Sequence, residues 1–389
     1  MAGVNPIYLD YNATTPVAPE VLDAMLPFFT DTFGNAASRT HRWGWVAEKA
    51  VEEARTQVAT MLNCEPQEII FTSGATESLN LAIQGVVRAY ASKGNHLVVL
   101  TTEHAAVLDT CRFLESTGFE ITWLPVNRNG QADLQLLEES IRPDTVLVCA
   151  MHANNETGVI SDISSIARIV HEKGSLLCSD TTQSVGKIPL DVKANGMDLA
   201  TISAHKIYGP KGIGALYIGR KNPRVTLKPL LHGGGHERGL RSGTLNVPGI
   251  IGLGKACQLA TDFMQTNGTR LRMMRDRLEN ELLSLGIVSI NGKRADRLPQ
   301  VSNFAVEGLQ ADRLIKALPH IGMATGSACT SASPKPSHVL TAMGMNEREA
   351  RSSVRISLGN PTTEAELEIV IRDLKSTLLK LTNHENPIG

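Results

Sequence analysis

The sequence lacks three features that would assign it to whole classes of protein: a run of one charge sign, a C-x-x-C pair and a long apolar stretch. Lysine and arginine number 38 against 39 aspartates and glutamates, a formal net charge of −1, so no broad basic surface for nucleic acid is expected. No segment approaches the roughly 20 uninterrupted apolar residues of a membrane span. The opening MAGVNPIYLDYNATTP has no basic stretch followed by an apolar one, so a soluble, cytoplasmic protein is expected. Cys64, Cys111, Cys149, Cys178, Cys257 and Cys329 are scattered, which suggests neither a zinc site nor a disulfide framework. Most are expected to be small buried core residues. Cys329 differs, standing in ATGSACTSASP with no large apolar neighbour.

What is present, from about residue 65 to 220, is an alternation of short apolar runs with amphipathic stretches: EIIFT, ESLNLAIQGVVRAYA, HLVVLTTEH, AVLDTCRFLESTG, EITWLPV, TVLVCAMHANNETG, ISSIARIVHEKG, SLLCSDTTQ, DLATISAHK and GALYIG. Strands alternating with helices predict an α/β fold, a mostly parallel sheet covered by helices. A long helical pattern follows from about Ile250 to Ser284, then strand-like VSNFAV, helix-like ADRLIKAL, strand-like SSVRISL and a final amphipathic segment from Glu364 to Leu381. A chain of 389 residues exceeds one compact core. The expected division is a large domain over 16–255 and a smaller α/β domain formed by 1–15 and 256–389.

Ligands of such sheets sit beyond the carboxyl ends of the strands, so the polar residues there carry the chemistry. TISAHKIYGPKG ends a strand in Ser203, His205 and Lys206; a lysine there can lose solvation and have its pKa lowered, as Schiff-base chemistry needs. Lys211, inside the following turn, is the competitor. SLLCSDTTQ ends in Asp180, with Gln183 three residues on. A carboxylate so placed can keep the ring nitrogen of pyridoxal phosphate protonated, or it can cap a helix. His104 follows a strand and opens a helix, where an imidazole can stack on a ring and shuttle protons, or serve structure alone. IIFTSGATES is strand, small residues, then helix, so Gly74, Ala75 and Thr76 can aim N–H groups and a hydroxyl at an anion. The stretch matches neither G-x-x-x-x-G-K-[ST] nor G-x-G-x-x-G, which disfavours a nucleoside triphosphate or dinucleotide.

Together these pieces resemble the fold-type I pyridoxal phosphate enzymes, more closely the class V aminotransferase group that contains the cysteine desulfurases, in the housekeeping and nitrogen-fixation branch with a long catalytic-cysteine loop. YLDYNATTP, FTSGATES, TEHAAVLDTC, HANNETG, SDTTQSVGK, SAHKIYGPKGIG, GGGHERGLRSGT, GSACTSAS and SSVRISLG occur in the family's order along nearly the whole chain. The resemblance implies that Lys206 carries the cofactor covalently, Asp180 pairs with the pyridine nitrogen, Gln183 meets the ring hydroxyl and His104 stacks over the ring. Thr76, Ser203 and His205, with the backbone of Ala75, would bind the phosphate, and Thr244 would reach the phosphate of a second subunit in a homodimer. Arg355 would form a bidentate pair with the amino acid carboxylate, assisted by Asn155.

Cys329 resembles the nucleophile that takes sulfur from L-cysteine as a persulfide and leaves L-alanine. A pliable loop of small residues, from about Gly326 to Pro334, suits a thiol that meets substrate inside and hands sulfur to an acceptor outside. The expected partner is an acceptor protein: an iron–sulfur scaffold, a tRNA-thiolation protein or a DNA-phosphorothioation protein. The sequence departs from the family at Leu79, Ala105 and Asn360-Pro361, and its KLTNHENPIG end lacks the aromatic-rich tail by which some relatives dock an iron–sulfur scaffold. Alternatives on the same fold are a selenocysteine lyase, an aminotransferase or another class V enzyme. A catalytically silent scaffold is an alternative of a different kind.

Overall fold

The structure is a computed structural model that describes residues 5–221, 224–326 and 336–383. Cys329 and the stretch after Gly326 that carries it lie outside the described residues. Twelve strands occur among the described residues: β1 (Ile7–Tyr8), β2 (Ile69–Thr72), β3 (His96–Leu100), β4 (Glu120–Leu124), β5 (Thr145–Cys149), β6 (Leu176–Asp180), β7 (Leu199–Ser203), β8 (Gly214–Ile218), β9 (Val288–Ile290), β10 (Val301–Val306), β11 (Ile321–Gly322) and β12 (Ser353–Ser357). Seven of them form one sheet in the order β2-β8-β7-β6-β5-β3-β4. Only β8 runs against its neighbours; the other pairs are parallel. The carboxyl ends of the other six strands therefore share one edge.

Strands covered on both faces read as continuous apolar runs, and β3, β5, β6, β7 and β8 are buried along their whole length, whereas edge strand β4 is half-covered. Alternate side chains point to opposite faces. Val98, Val148, Leu177 and Ile202 join the core shared with helices Arg42–Leu62 and Ile163–Glu172. Leu97, Leu147, Leu176 and Leu199 pack instead with helices Ala75–Ala89 and Ala105–Ser116. Each such side chain contributes roughly 1.5–3 kcal/mol by leaving water. Cys111, Cys149, Cys178 and Cys257 are buried in these two cores. Helix Arg42–Leu62 starts where the His41 ring accepts the Gly44 N–H and ends on Asn63 in the left-handed conformation.

A second sheet, β12-β10-β9, is antiparallel and covers its own core with Leu314, Leu367, Leu374 and Leu378. The N-terminal segment docks here: β1 pairs parallel with β11, Ser357 N donates to Leu9 O at 2.8 Å, and Asn12 N donates to Ser357 Oγ at 2.9 Å. Helix Val247–Leu283 spans both parts. Its Ile250, Leu253 and Cys257 belong to the large-sheet core, and its Leu271, Met274, Leu278 and Leu282 to the small-sheet core. No helix among the described residues is long and apolar enough to cross a membrane.

Candidate active site

The shared strand edge opens into a cavity of about 520 Å³. Its lining includes Ala75, Thr76, His104, Asn155, Asp180, Gln183, Ser203, His205, Lys206 and Arg355, residues that lie as much as 280 positions apart in sequence. Thr244 is exposed and is not part of this lining. Cys329 lies outside the described residues.

At one end, β2 stops at Thr72 and helix Ala75–Ala89 begins after Gly74. Gly74 has φ +155°, and β8 starts directly against it: a Cβ on Gly214 would lie 2.7 Å from the Gly74 Cα. Two glycines thus let the turn approach the sheet, leaving the helix's first N–H groups facing the cavity. Glu77, in that first turn, accepts from Ser73 N at 2.7 Å and from Arg241 Nε at 2.8 Å. The second bond fastens the segment that carries Thr244 to the turn.

Asp180 closes β6 and is 6% exposed. Its Oδ1 accepts from Thr182 N at 2.9 Å and from Thr201 Oγ1 at 3.2 Å, which fixes the carboxylate. His104 caps helix Ala105–Ser116, its Nδ1 accepting from Ala106 N at 3.1 Å; a neutral ring in that role carries its proton on Nε2. His205, after β7, has Nδ1 3.1 Å from Thr14 Oγ1. Burial, then the nearby Lys206, Lys211 and Lys187, pushes its pKa down to about 4, so the ring is neutral at pH 7.

Lys206 Nζ donates to the main-chain oxygens of Asn12 at 2.6 Å and Ala13 at 2.8 Å. The N-terminal segment therefore forms one wall of the site. Arg355, in the middle of β12, is 1% exposed. Its Nη2 lies 2.5 Å from Asp10 Oδ1 and its Nη1 donates to Asn155 O at 3.0 Å, while Nε is buried without a partner. Asn155 thus meets Arg355 through its carbonyl rather than its amide.

Sequence reasoning missed Asn12, Asp10, Lys187 and Glu103. Asn12 acts through a main-chain carbonyl, which no residue pattern reveals. Glu103, next to His104, is buried; its Oε1 accepts from Met151 N and its Oε2 has no partner. Burial, then the charge of Asp180, raises its pKa well above the usual carboxylate range. An acid immediately before a strand-end histidine was the available signal. Lys187 donates to Gln183 Oε1 at 2.6 Å.

The Aminotransferase class-V family model matches residues 7–370. The cysteine desulfurase IscS of Salmonella paratyphi B is 50% identical over 378 residues, covering 97% of this chain and 93% of the relative. A solved structure of a NifS-like protein superposes with a TM-score of 0.89 at 36% identity, over 96% of this chain and 99% of the other. A structure of SspA in complex with cysteine gives 0.79 at 38% identity, over 90% and 98%.

Proposed function

Because the chain belongs to the class-V aminotransferase family and is a pyridoxal phosphate-dependent cysteine desulfurase, we propose that the residues around the cavity at the strand ends, with Cys329, carry its reaction. The donor set fits the cofactor. Thr182 Oγ1, on the cavity wall, is buried without a hydrogen-bond partner, and the glycine-lined helix start suits a phosphate. Bound there, pyridoxal phosphate supplies an electron sink for the substrate's Cα and Cβ bonds.

Lys206 would hold the cofactor's carbonyl carbon through Nζ and, when its Nζ is free, would move protons at the substrate. Asp180, its Oδ1 fixed by two donors, keeps a proton on the ring nitrogen. Gln183 meets the ring hydroxyl, and His104 covers the ring face and delivers protons from Nε2. Ala75 N, Thr76, Ser203 and neutral His205 bind the phosphate. Arg355 takes the carboxylate of L-cysteine, with its unpartnered Nε as one of the two donors, and Asn155 O holds the guanidinium in place.

Cys329 attacks the substrate sulfur as a thiolate. An S–S bond forms as the C–S bond breaks, the enzyme keeps a persulfide, and the three-carbon fragment takes up protons and leaves as L-alanine. Three of the other cysteines are unsuited to this: burial pushes the thiols of Cys64 and Cys257 up to about 12, and contacts with Cys111 and Cys178 raise Cys149 well above the ordinary value.

The working unit is a homodimer in which Thr244 serves the phosphate of the second subunit, supported by its place on an exposed segment tied to Glu77. The division into 16–255 against 1–15 with 256–389 is supported by the separate cores of the two sheets. The persulfide passes, in the cytoplasm, to an acceptor protein of iron–sulfur cluster assembly, tRNA thiolation or DNA phosphorothioation; trapping proteins that take labelled sulfur from Cys329 would identify it. The observation that carries the site assignment is Lys206 and Asp180 on adjacent strand ends, facing one cavity beside a glycine-bounded helix start. Borohydride reduction of the holoenzyme followed by peptide mapping tests it: the cofactor is expected on Lys206, and recovery on Lys187 or Lys211 would refute the assignment.

A further inference from the structure

Four residues beyond Gln183, Lys187 lies behind the wall of the candidate site. It lines a smaller, mainly apolar cavity of about 300 Å³ beside Leu259, Phe263 and Met264, and its Nζ reaches back to Gln183 Oε1 at 2.6 Å. Gln183 is 5% exposed, and its Nε2 donates to Asn12 O at 3.0 Å. A main-chain carbonyl can only accept. The amide nitrogen of Gln183 must therefore face Asn12, and its oxygen must face Lys187. Lys187 donates to that oxygen whether it is an ammonium or an amine. The same Asn12 O accepts from Lys206 Nζ at 2.6 Å, so Lys187, Gln183, Asn12 and Lys206 form one hydrogen-bonded chain along the cavity wall.

We propose that Lys187 is a positioning residue for the cofactor, holding Gln183, together with the Asn12 carbonyl, in the amide orientation that turns an N–H toward the ring hydroxyl oxygen. The inference rests on the reading of Gln183 given above. Nε2 carries two hydrogens; one goes to Asn12, and the other is left for the cavity that Gln183 lines. Without Lys187 the amide oxygen loses its donor in a buried place. The amide is then held from the Asn12 side alone, and it can tilt so that its second N–H no longer meets the ring hydroxyl oxygen. A free lysine would not choose this position: burial, then the charges of Lys206 and Arg355, holds its pKa well below the ordinary value.

The test measures pyridoxal phosphate dissociation by equilibrium dialysis and the absorption spectrum of the bound cofactor. It compares Lys187→Met, Lys187→Arg, Gln183→Leu and the Lys187→Met/Gln183→Leu pair. Leaving one buried oxygen unpaired predicts about tenfold weaker binding and an altered spectrum for Lys187→Met, with recovery in Lys187→Arg, which keeps a donor. In the Gln183→Leu background the same change should matter less than about twofold, since the coupling partner is gone. Equal losses in both backgrounds, or no loss in the first, would overturn the proposal. If Gln183→Leu weakens binding and Lys187→Met does not, only the role of Lys187 falls. If Gln183→Leu changes nothing, the reading of Gln183 falls and takes this inference with it. Should Lys187→Met not fold, Lys187→Leu in the same two backgrounds decides by the same comparison.

Discussion

The two sheets meet at one cavity and serve it differently. The seven-stranded sheet offers its side chains at strand ends, where Asp180, Ser203, His205 and Lys206 follow directly on buried apolar runs. The three-stranded sheet offers Arg355 from the middle of β12, 1% exposed and dependent on Asp10 and Asn155 for its hydrogen bonds. Strand-end groups find donors and acceptors in the turn that follows and on the adjacent strand, as Asp180 does with Thr182 N and Thr201 Oγ1. A mid-strand guanidinium has to be satisfied by partners brought in from elsewhere in the chain. The first side suits holding a cofactor; the second suits sensing a carboxylate.

Substitutions on the two sides should therefore separate cofactor chemistry from substrate recognition. The largest effect is expected for Lys206→Ala, with no covalently held cofactor and no alanine release, against a retained yellow colour in Lys211→Ala. Cys329→Ser should also release no alanine and carry no persulfide by mass spectrometry, yet still change its absorption on adding L-cysteine, because the substrate contacts proposed for Lys206 and Arg355 do not involve the thiol. Multiple turnover at the parent rate by that variant would remove Cys329 from the mechanism.

On the small-sheet side, if Arg355 takes the substrate carboxylate as proposed, Arg355→Gln removes a charge-assisted pair worth about 1.5–3 kcal/mol, so KM for cysteine should rise roughly 10- to 100-fold. Arg355→Lys should recover little of this, lacking the planar fork. Asp10→Asn should raise KM by less, about fivefold, with cofactor dissociation unchanged. If cofactor binding weakened as much as substrate binding in these variants, the distinction between the two sides would be lost.

The smallest effect at neutral pH concerns His152, which is buried and held at about 4 by burial. Its folded pKa lies below the unfolded value of 6.5, so the unfolded chain binds the extra proton and stability falls as pH drops from about 6.5 toward 4. That loss amounts to about 2 kcal/mol at pH 5. Urea unfolding of the apoprotein at pH 7 and pH 5 should show a shallower fall in His152→Leu than in the parent.

Much of this was legible in sequence. The apolar alternation gave the sheet, and each strand end named its own polar residues, because a strand is written by neighbours within five or six positions. The antiparallel placement of β8 was not legible, since its apolar run is as continuous as those of its parallel neighbours. Glu103 carried no reading in the sequence, and only its depth beside Asp180 raises its pKa.

By itself the sequence determined the α/β class, the positions where chemistry could sit and the unusual setting of Cys329, all of which are local patterns of residue type. Tertiary structure alone decided that Asn12 and Ala13 carbonyls receive Lys206, that Asp10 steadies Arg355 and that Lys187 donates to Gln183. Those contacts join main-chain oxygens and buried charges, several across long stretches of sequence. Their energies depend on the solvent each group has lost, which no local pattern specifies.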